Sequence, residues 1–142
     1  METIQRIRKT DLARNTHQII QNVQRGGAIL IENHGQAEVA IVDVFDYYIL
    51  RTLASYYTRP SQVHRKEIRD NVIAKMEDQQ SVYDLVLAAY LGGEISLGRS
   101  AELLELPLLD LQSRFIRLGV PLNLGAKDKG EAKSEVKAAR GF

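Results

Sequence analysis

The sequence has no cysteine, no tryptophan and only three prolines, and aromatic residues make up 6% of its 142 residues. Without cysteine there is no disulfide, no thiol nucleophile and no thiolate metal site. The three histidines, His17, His34 and His64, show no metal-ligand spacing, and no helical pair stands four residues apart. There is no phosphate-cradling loop, because Gly92-Gly93 and Gly98 lack the strand before and the lysine after that such loops need. The serines are scattered with no base beside them. These absences lead us to expect neither an enzyme nor a cofactor or metal. No apolar run approaches the ~18 residues of a membrane span, and Met1-Glu2-Thr3 does not open a signal peptide. The expectation is a soluble, cytoplasmic protein with no membrane partner.

What is present is a globular balance, 44% hydrophobic and 26% charged residues. A single domain of this length buries roughly two-thirds of its unfolded surface, whereas a ~60-residue piece buries only about 60%. If the chain divides, each half is marginal alone and should want a partner. The net charge of +1 becomes informative only when it is divided along the chain. Residues 1–60 hold seven Lys/Arg against six Asp/Glu, and residues 61–95 hold four against six. Residues 96–124 hold three of each, and residues 125–142 hold five against three. Positive charge is therefore local: Arg6, Arg8, Lys9 and Arg14 face Asp11 alone, and the tail is basic again. Such a cluster can contact phosphates; on charge alone a solvated face reads equally well.

The pattern predicts an α+β chain. Ile4 to Arg8 is a short strand. Thr10 can cap a helix, with Asp11 in its first turn, and Leu12, Ile19, Ile20 and Val23 recur at helical spacing until Gly26-Gly27 ends it. Two β-rich runs, Ala28 to Asn33 and Ala37 to Val42, flank His34-Gly35-Gln36, a hairpin signal. A helix from Asp43 or Asp46 follows, its apolar stripe formed by Tyr47, Leu50, Leu53, Ala54 and Tyr57. Pro60 breaks it, which sets the first boundary.

Residues 61–80 read as a charged helical spacer. Ser81 with Asp84 gives a capping-box-like start to an apolar helix containing Val82, Leu85, Val86, Ala89 and Tyr90, stopped by Gly92-Gly93. Leu97, Ala101 and Leu104 line a short helix. Pro107 takes the first position of the next, lined by Leu108, Leu111 and Phe115 and ended by Gly119. The helical module spans 81–124. The tail, 125–142, is rich in Lys, Ala, Glu and Gly and is expected to be disordered.

The stretch Thr10-Asp11-Leu12-Ala13-Arg14-Asn15-Thr16-His17-Gln18-Ile19-Ile20-Gln21-Asn22-Val23, with Gly26, Ala28-Ile29-Leu30-Ile31, Gly35, Val39-Ala40-Ile41-Val42, Asp46-Tyr47 and Leu50, resembles the Phd/YefM family of type II antitoxins. The resemblance implies a β-α-β-β-α domain over residues 1–60 that forms a homodimer and binds operator DNA. The family's DNA contacts fall on the first turn of the first helix and on the hairpin turn, which here implies Thr10, Asn15, Asn33 and His34, with Arg14 and the Arg6, Arg8 and Lys9 cluster as substitutes that could reach the same phosphates. The chain departs from the family at Ala13, where arginine is common, and at Asn33-His34, where a basic residue precedes the turn glycine.

The stretch from Gly93 to Arg99, through Ser100-Ala101-Glu102-Leu103-Leu104-Glu105-Leu106-Pro107, to Arg117-Leu118-Gly119-Val120-Pro121 has helix-turn-helix patterning, with Ala101 letting two helices approach across a three-residue turn. Glu105 stands where that motif prefers glycine. This part resembles a small family of uncharacterised prokaryotic helix-turn-helix proteins encoded beside PIN-domain ribonuclease toxins. In the motif's register Gln112, Ser113, Arg114 and Arg117 would lie on an exposed recognition helix, a second DNA-binding or partner surface. The alternative is a three-helix packing module with solvated arginines.

Together these resemblances imply an antitoxin that neutralises a cognate toxin by direct binding and represses its own operon as a DNA-binding dimer or higher oligomer. The toxin would be held after Pro60, by the charged helix, the helical module or the tail, where Arg140 beside Phe142 could plug an acidic nuclease site. The alternative is a stand-alone DNA-binding transcription regulator without a toxin partner. A third reading is a protein-interaction module that binds no DNA.

Overall fold

The structure, a computed structural model, describes residues 4–58 and 70–122. It is α+β and divides between Tyr47 and Tyr48 into two compact units. The division falls inside a helix, ahead of the break expected at Pro60, which lies outside the described residues.

The first unit runs β1 (Gln5–Arg8), α1 (Lys9–Leu12), α2 (Thr16–Gln24), β2 (Ile29–Asn33) and β3 (Gln36–Ile41). The sheet order is β1-β2-β3, with β1 parallel to β2 and β2 antiparallel to β3. Parallel neighbours need a crossover, and α1 and α2 supply it. The single helix expected from Thr10 is two helices. Asn15 leaves helical geometry (φ −119°, ψ 24°), and the Thr16 hydroxyl donates to the Leu12 carbonyl at 2.9 Å. Short polar side chains that bond nearby backbone compete with helix continuation, and Arg14-Asn15-Thr16 is where that competition wins. Thr10 is not the cap, since α1 starts at Lys9 after Arg8. Gly26 (φ 103°) closes α2 as expected, with Gly26 N–H on Val23 O and Gly27 N–H on Asn22 O.

The hairpin loop is only His34-Gly35, both left-handed (φ 53° and 76°), and Gln36 already pairs with Asn33. Two-residue hairpins favour that pair of conformations because their twist matches the strands. The core is small: Ile19, Val23, Ile29 and Ile31 are buried, with Ile7, Leu12 and Ile41 packed against them. Val39 pairs with Ile31 yet stays 56% exposed on the edge strand.

The second unit takes most of α3 (Val44–Thr58), then α4 (Asp70–Ala74), α5 (Gln79–Leu91), α6 (Leu97–Leu103) and α7 (Leu108–Leu118). Asp43 caps α3, its carboxylate accepting from Phe45 N–H at 2.9 Å. The predicted apolar stripe of α3 is its outward face, with Tyr47, Leu50 and Tyr57 exposed. Ile49 and Thr52 are buried instead, and Tyr48 meets the Tyr83 ring of α5 at 5.1 Å. The Thr52 hydroxyl donates to Asp84 at 2.6 Å, and Gln80 Nε2 lies within 3.1 Å of Tyr48 O, Thr52 Oγ1 and Asp84 Oδ1. Asp84 is thus spent on α3 rather than on a capping box. Asp78 caps α5, accepting from Gln80 N–H and from the Ser81 hydroxyl.

Helix α5 is buried over most of its surface (Val86 and Tyr90 at 0%, Tyr83 and Leu87 at 1%), which makes it the centre of this unit. It packs on α6, and α6 packs on α7. Tyr90 stacks against Phe115 at 5.2 Å and donates its hydroxyl to Pro121 O at 2.8 Å. The α6–α7 connection is Leu104–Pro107, one residue longer than expected, and Pro107 is the N-cap of α7 rather than its first residue. Glu105 takes the glycine-favouring left-handed conformation (φ 57°).

Candidate nucleic-acid interface

In the parallel register Arg6 pairs with Leu30 and Arg8 with Glu32, so these side chains share the sheet face opposite Ile7 and Ile31. That alternation puts the buried isoleucines on one face and Arg6, Arg8, Leu30 and Glu32 on the other. At its end, where β1 runs into α1 and β2 turns into β3, a cleft of about 460 Å³ is lined by Arg8, Lys9, Thr10, Glu32, Asn33, His34 and Gly35. Five of the eight residues expected to touch DNA therefore meet in one concavity, although Arg8, Lys9 and Thr10 lie far from Asn33 and His34 in sequence.

The cations around it are not equally available. Arg6 Nη1 lies 2.8 Å from Glu32 Oε1, and that carboxylate is 20% exposed. Arg8 Nε lies 3.2 Å from Asp11 Oδ2. Lys9 is exposed and makes no ion pair among the described residues. Asn33 Nδ2 donates to Glu38 Oε1 at 3.3 Å, and His34 stands exposed at the hairpin tip. Arg14 and Asn15 sit at the α1–α2 break, exposed but outside the cleft. Sequence reasoning missed Glu32, whose place follows from period-two alternation along β2 once Ile29 and Ile31 are taken as the inner face.

The second candidate surface is rearranged. Arg114 is 7% exposed, and its Nε bonds Asp110 Oδ2 at 3.0 Å, so it is not on an exposed recognition face. Ser113 is exposed; Gln112 and Arg117 are half-buried. The outer face of α7 instead shows Leu109 (77% exposed) and Ile116 (63%), seven residues apart, and Leu108 is exposed rather than inward. A 7% exposed guanidinium needs a carboxylate to be tolerated, which the i, i+4 spacing supplies. Arg140 and Phe142 lie outside the described residues.

Among the described residues no cluster of three or more His, Asp or Glu could hold a metal ion, and no helix is long and apolar enough to cross a membrane. No family model, curated protein or solved structure matches this chain.

Proposed function

We propose that this chain is the antitoxin of a type II toxin–antitoxin system, a dimeric DNA-binding repressor that also holds a cognate toxin. The observation that carries the reading is the convergence of Arg8, Lys9, Thr10, Asn33 and His34 on one cleft. Backbone phosphates are met by cations and hydroxyls, and Arg8, Lys9 and Thr10 bring both to this cleft. The small core of the first unit and the exposed Val39 of β3 support self-association, since few buried side chains offset the entropy of ordering the chain. A two-fold dimer would present two such clefts to a palindromic operator.

For the second unit, the apolar outer face of α7 favours a protein partner over base readout, because Leu109 and Ile116 offer no hydrogen bonds to base edges. We assign toxin binding to that face. Co-expression with the adjacent open reading frame tests the proposal: the two products should co-purify and growth inhibition should be relieved. Retardation of promoter DNA without any toxin-like neighbour would point instead to a stand-alone regulator.

A further inference from the structure

The apolar face of the first unit extends further than its helices cover it. Val39 and Ile41 pair with the buried Ile31 and Ile29, so all four point to the helical side of the sheet. Ile41 packs against the core, whereas Val39 lies outside it, 56% exposed. The setting of α2 explains the difference. Its residues turn by about 100° each, so Asn22 and Ile20 flank the inward direction of Ile19 and Val23 on opposite sides. The Asn22 amide donates to Gln5 on β1 at 3.3 Å, which fixes that flank over β1. Ile20, 49% exposed, therefore stands on the flank toward β3. Ile20, Val39 and Ile41 form an apolar shelf beside α2, open above β3.

The edge of β3 is a poor route to a partner, since its bulge and Glu38 break regular strand pairing. The shelf is a better one. It continues the buried cluster of Ile19, Val23, Ile29 and Ile31, so an occupant enlarges that core rather than starting another. It also sets a ridge, Ile20, beside a floor, Val39, as a two-fold contact requires: residue i meets j while j meets i. The flank of α2 that carries Ile20 holds Thr16 and Gln24 and no charge, so Glu38, the single charge on β3, meets no like charge there. Three partly exposed aliphatic side chains per copy supply much less than the ~800 Å² that each partner of a standard complex buries, which sets the contact at the weak, reversible end.

We propose that the shelf receives a second copy of this chain, Ile20 of each copy seated on Val39 and Ile41 of the other, in a reversible two-fold dimer. The inference rests on the self-association reading above and names its surface, its residue pairing and its strength.

The chain has no cysteine, so introduced thiols report the pairing directly. Ile20→Cys and Val39→Cys chains, mixed and treated with a short bismaleimide, should give more cross-linked dimer than either chain alone. In sedimentation equilibrium between about 1 and 100 μM, the wild type should pass from one copy to two. Ile20→Asp and Val39→Asp should each weaken that step at least about tenfold, because each leaves a charge without a partner inside an apolar contact. Leu109→Asp, on the outer face of α7, should leave it unchanged. The cross-link does not depend on the aspartate variants folding. A dimer of unchanged strength in both shelf variants, or no preference for the mixed cross-link, overturns the shelf and leaves self-association standing. A wild type that stays one copy throughout this range overturns both readings.

Discussion

The two units differ in what they bury. The first covers one sheet face with α2 and buries four aliphatic side chains, leaving β3 exposed almost throughout. The second surrounds α5 with other helices and buries Tyr83, Tyr90 and Phe115 completely or nearly so. Aromatic side chains bury about 150–250 Å² each, so a few of them outweigh a cluster of isoleucines. The lesson is that the second unit holds a larger, aromatic core, whereas the first buries so little that it would gain most from the self-association proposed above.

The largest expected effect tests the stronger core. Phe115→Ala should cost the second unit about 3–5 kcal/mol, read as lost amide protection across α5–α7 in urea. In the wild type the midpoint for these helices should not move with protein concentration, whereas that of β1–β3 should rise with it over the micromolar range. A first unit insensitive to concentration and as resistant as the second would dissolve the contrast.

A smaller effect separates two ion pairs of the same chemistry. Arg114 with Asp110 leaves its guanidinium side chain 8% exposed, whereas Arg8 with Asp11 leaves it 79% exposed. Asp110→Ala removes an acceptor from a buried charged donor and should cost about 1–3 kcal/mol. Asp11→Ala removes a solvent-screened partner and should cost less than about 1 kcal/mol. Measured by chemical denaturation, equal costs would show that burial is not what divides the two.

The same division explains what could be read from the chain in advance. Element types in both units follow from apolar spacing and from glycine, and Gly26, Gly35, Gly93 and Gly119 all take the left-handed turns their positions suggest. Side-chain allegiance was harder. Helix α3 has apolar residues on two faces, and periodicity alone could not say that Ile49 and Thr52 are buried while Tyr47, Leu50 and Tyr57 face outward. Asp84 resembled half of a capping box because its partner Thr52 is 32 positions away. Arg114 resembled a surface cation because its burial depends on how α7 docks. At the cleft, the basic cluster and the turn were each visible, but only the parallel register of β1 on β2 brings them together. Glu32, the carboxylate that tempers the site, follows from that register too.

Turn strain provides a finer comparison. Gly35 sits at φ 76°, and a methyl group added at its Cα would have nothing within 4 Å, so Gly35→Ala meets no clash and only the conformational penalty. That penalty is about 1–2 kcal/mol, and it should fall on the thin first unit, lowering the melting midpoint of β1–β3 and loosening the cleft that His34 and Asn33 line. A silent Gly35→Ala would mean that the hairpin can adopt another turn without loss.

The smallest effect has the opposite sign and belongs to the second unit. Glu105 holds the left-handed conformation that ends α6, with its N–H on Glu102 O at 3.2 Å and Leu106 N–H on Ala101 O at 2.9 Å. These bonds come from the backbone and do not need the glutamate side chain. Glycine removes a left-handed penalty of about 1–2 kcal/mol but loses about 0.5–1 kcal/mol through its freer unfolded chain. Glu105→Gly should therefore stabilise α5–α7 by roughly 0.5–1 kcal/mol, seen as a higher urea midpoint with an unchanged slope. A loss of stability would show that the exposed carboxylate contributes more to the turn than its conformation costs. The second unit carries this strain because Tyr90, Leu111 and Phe115 fix the positions of α6 and α7 from inside; the first unit, with so little buried, carries the same left-handed strain at His34 (φ 53°) beside Gly35.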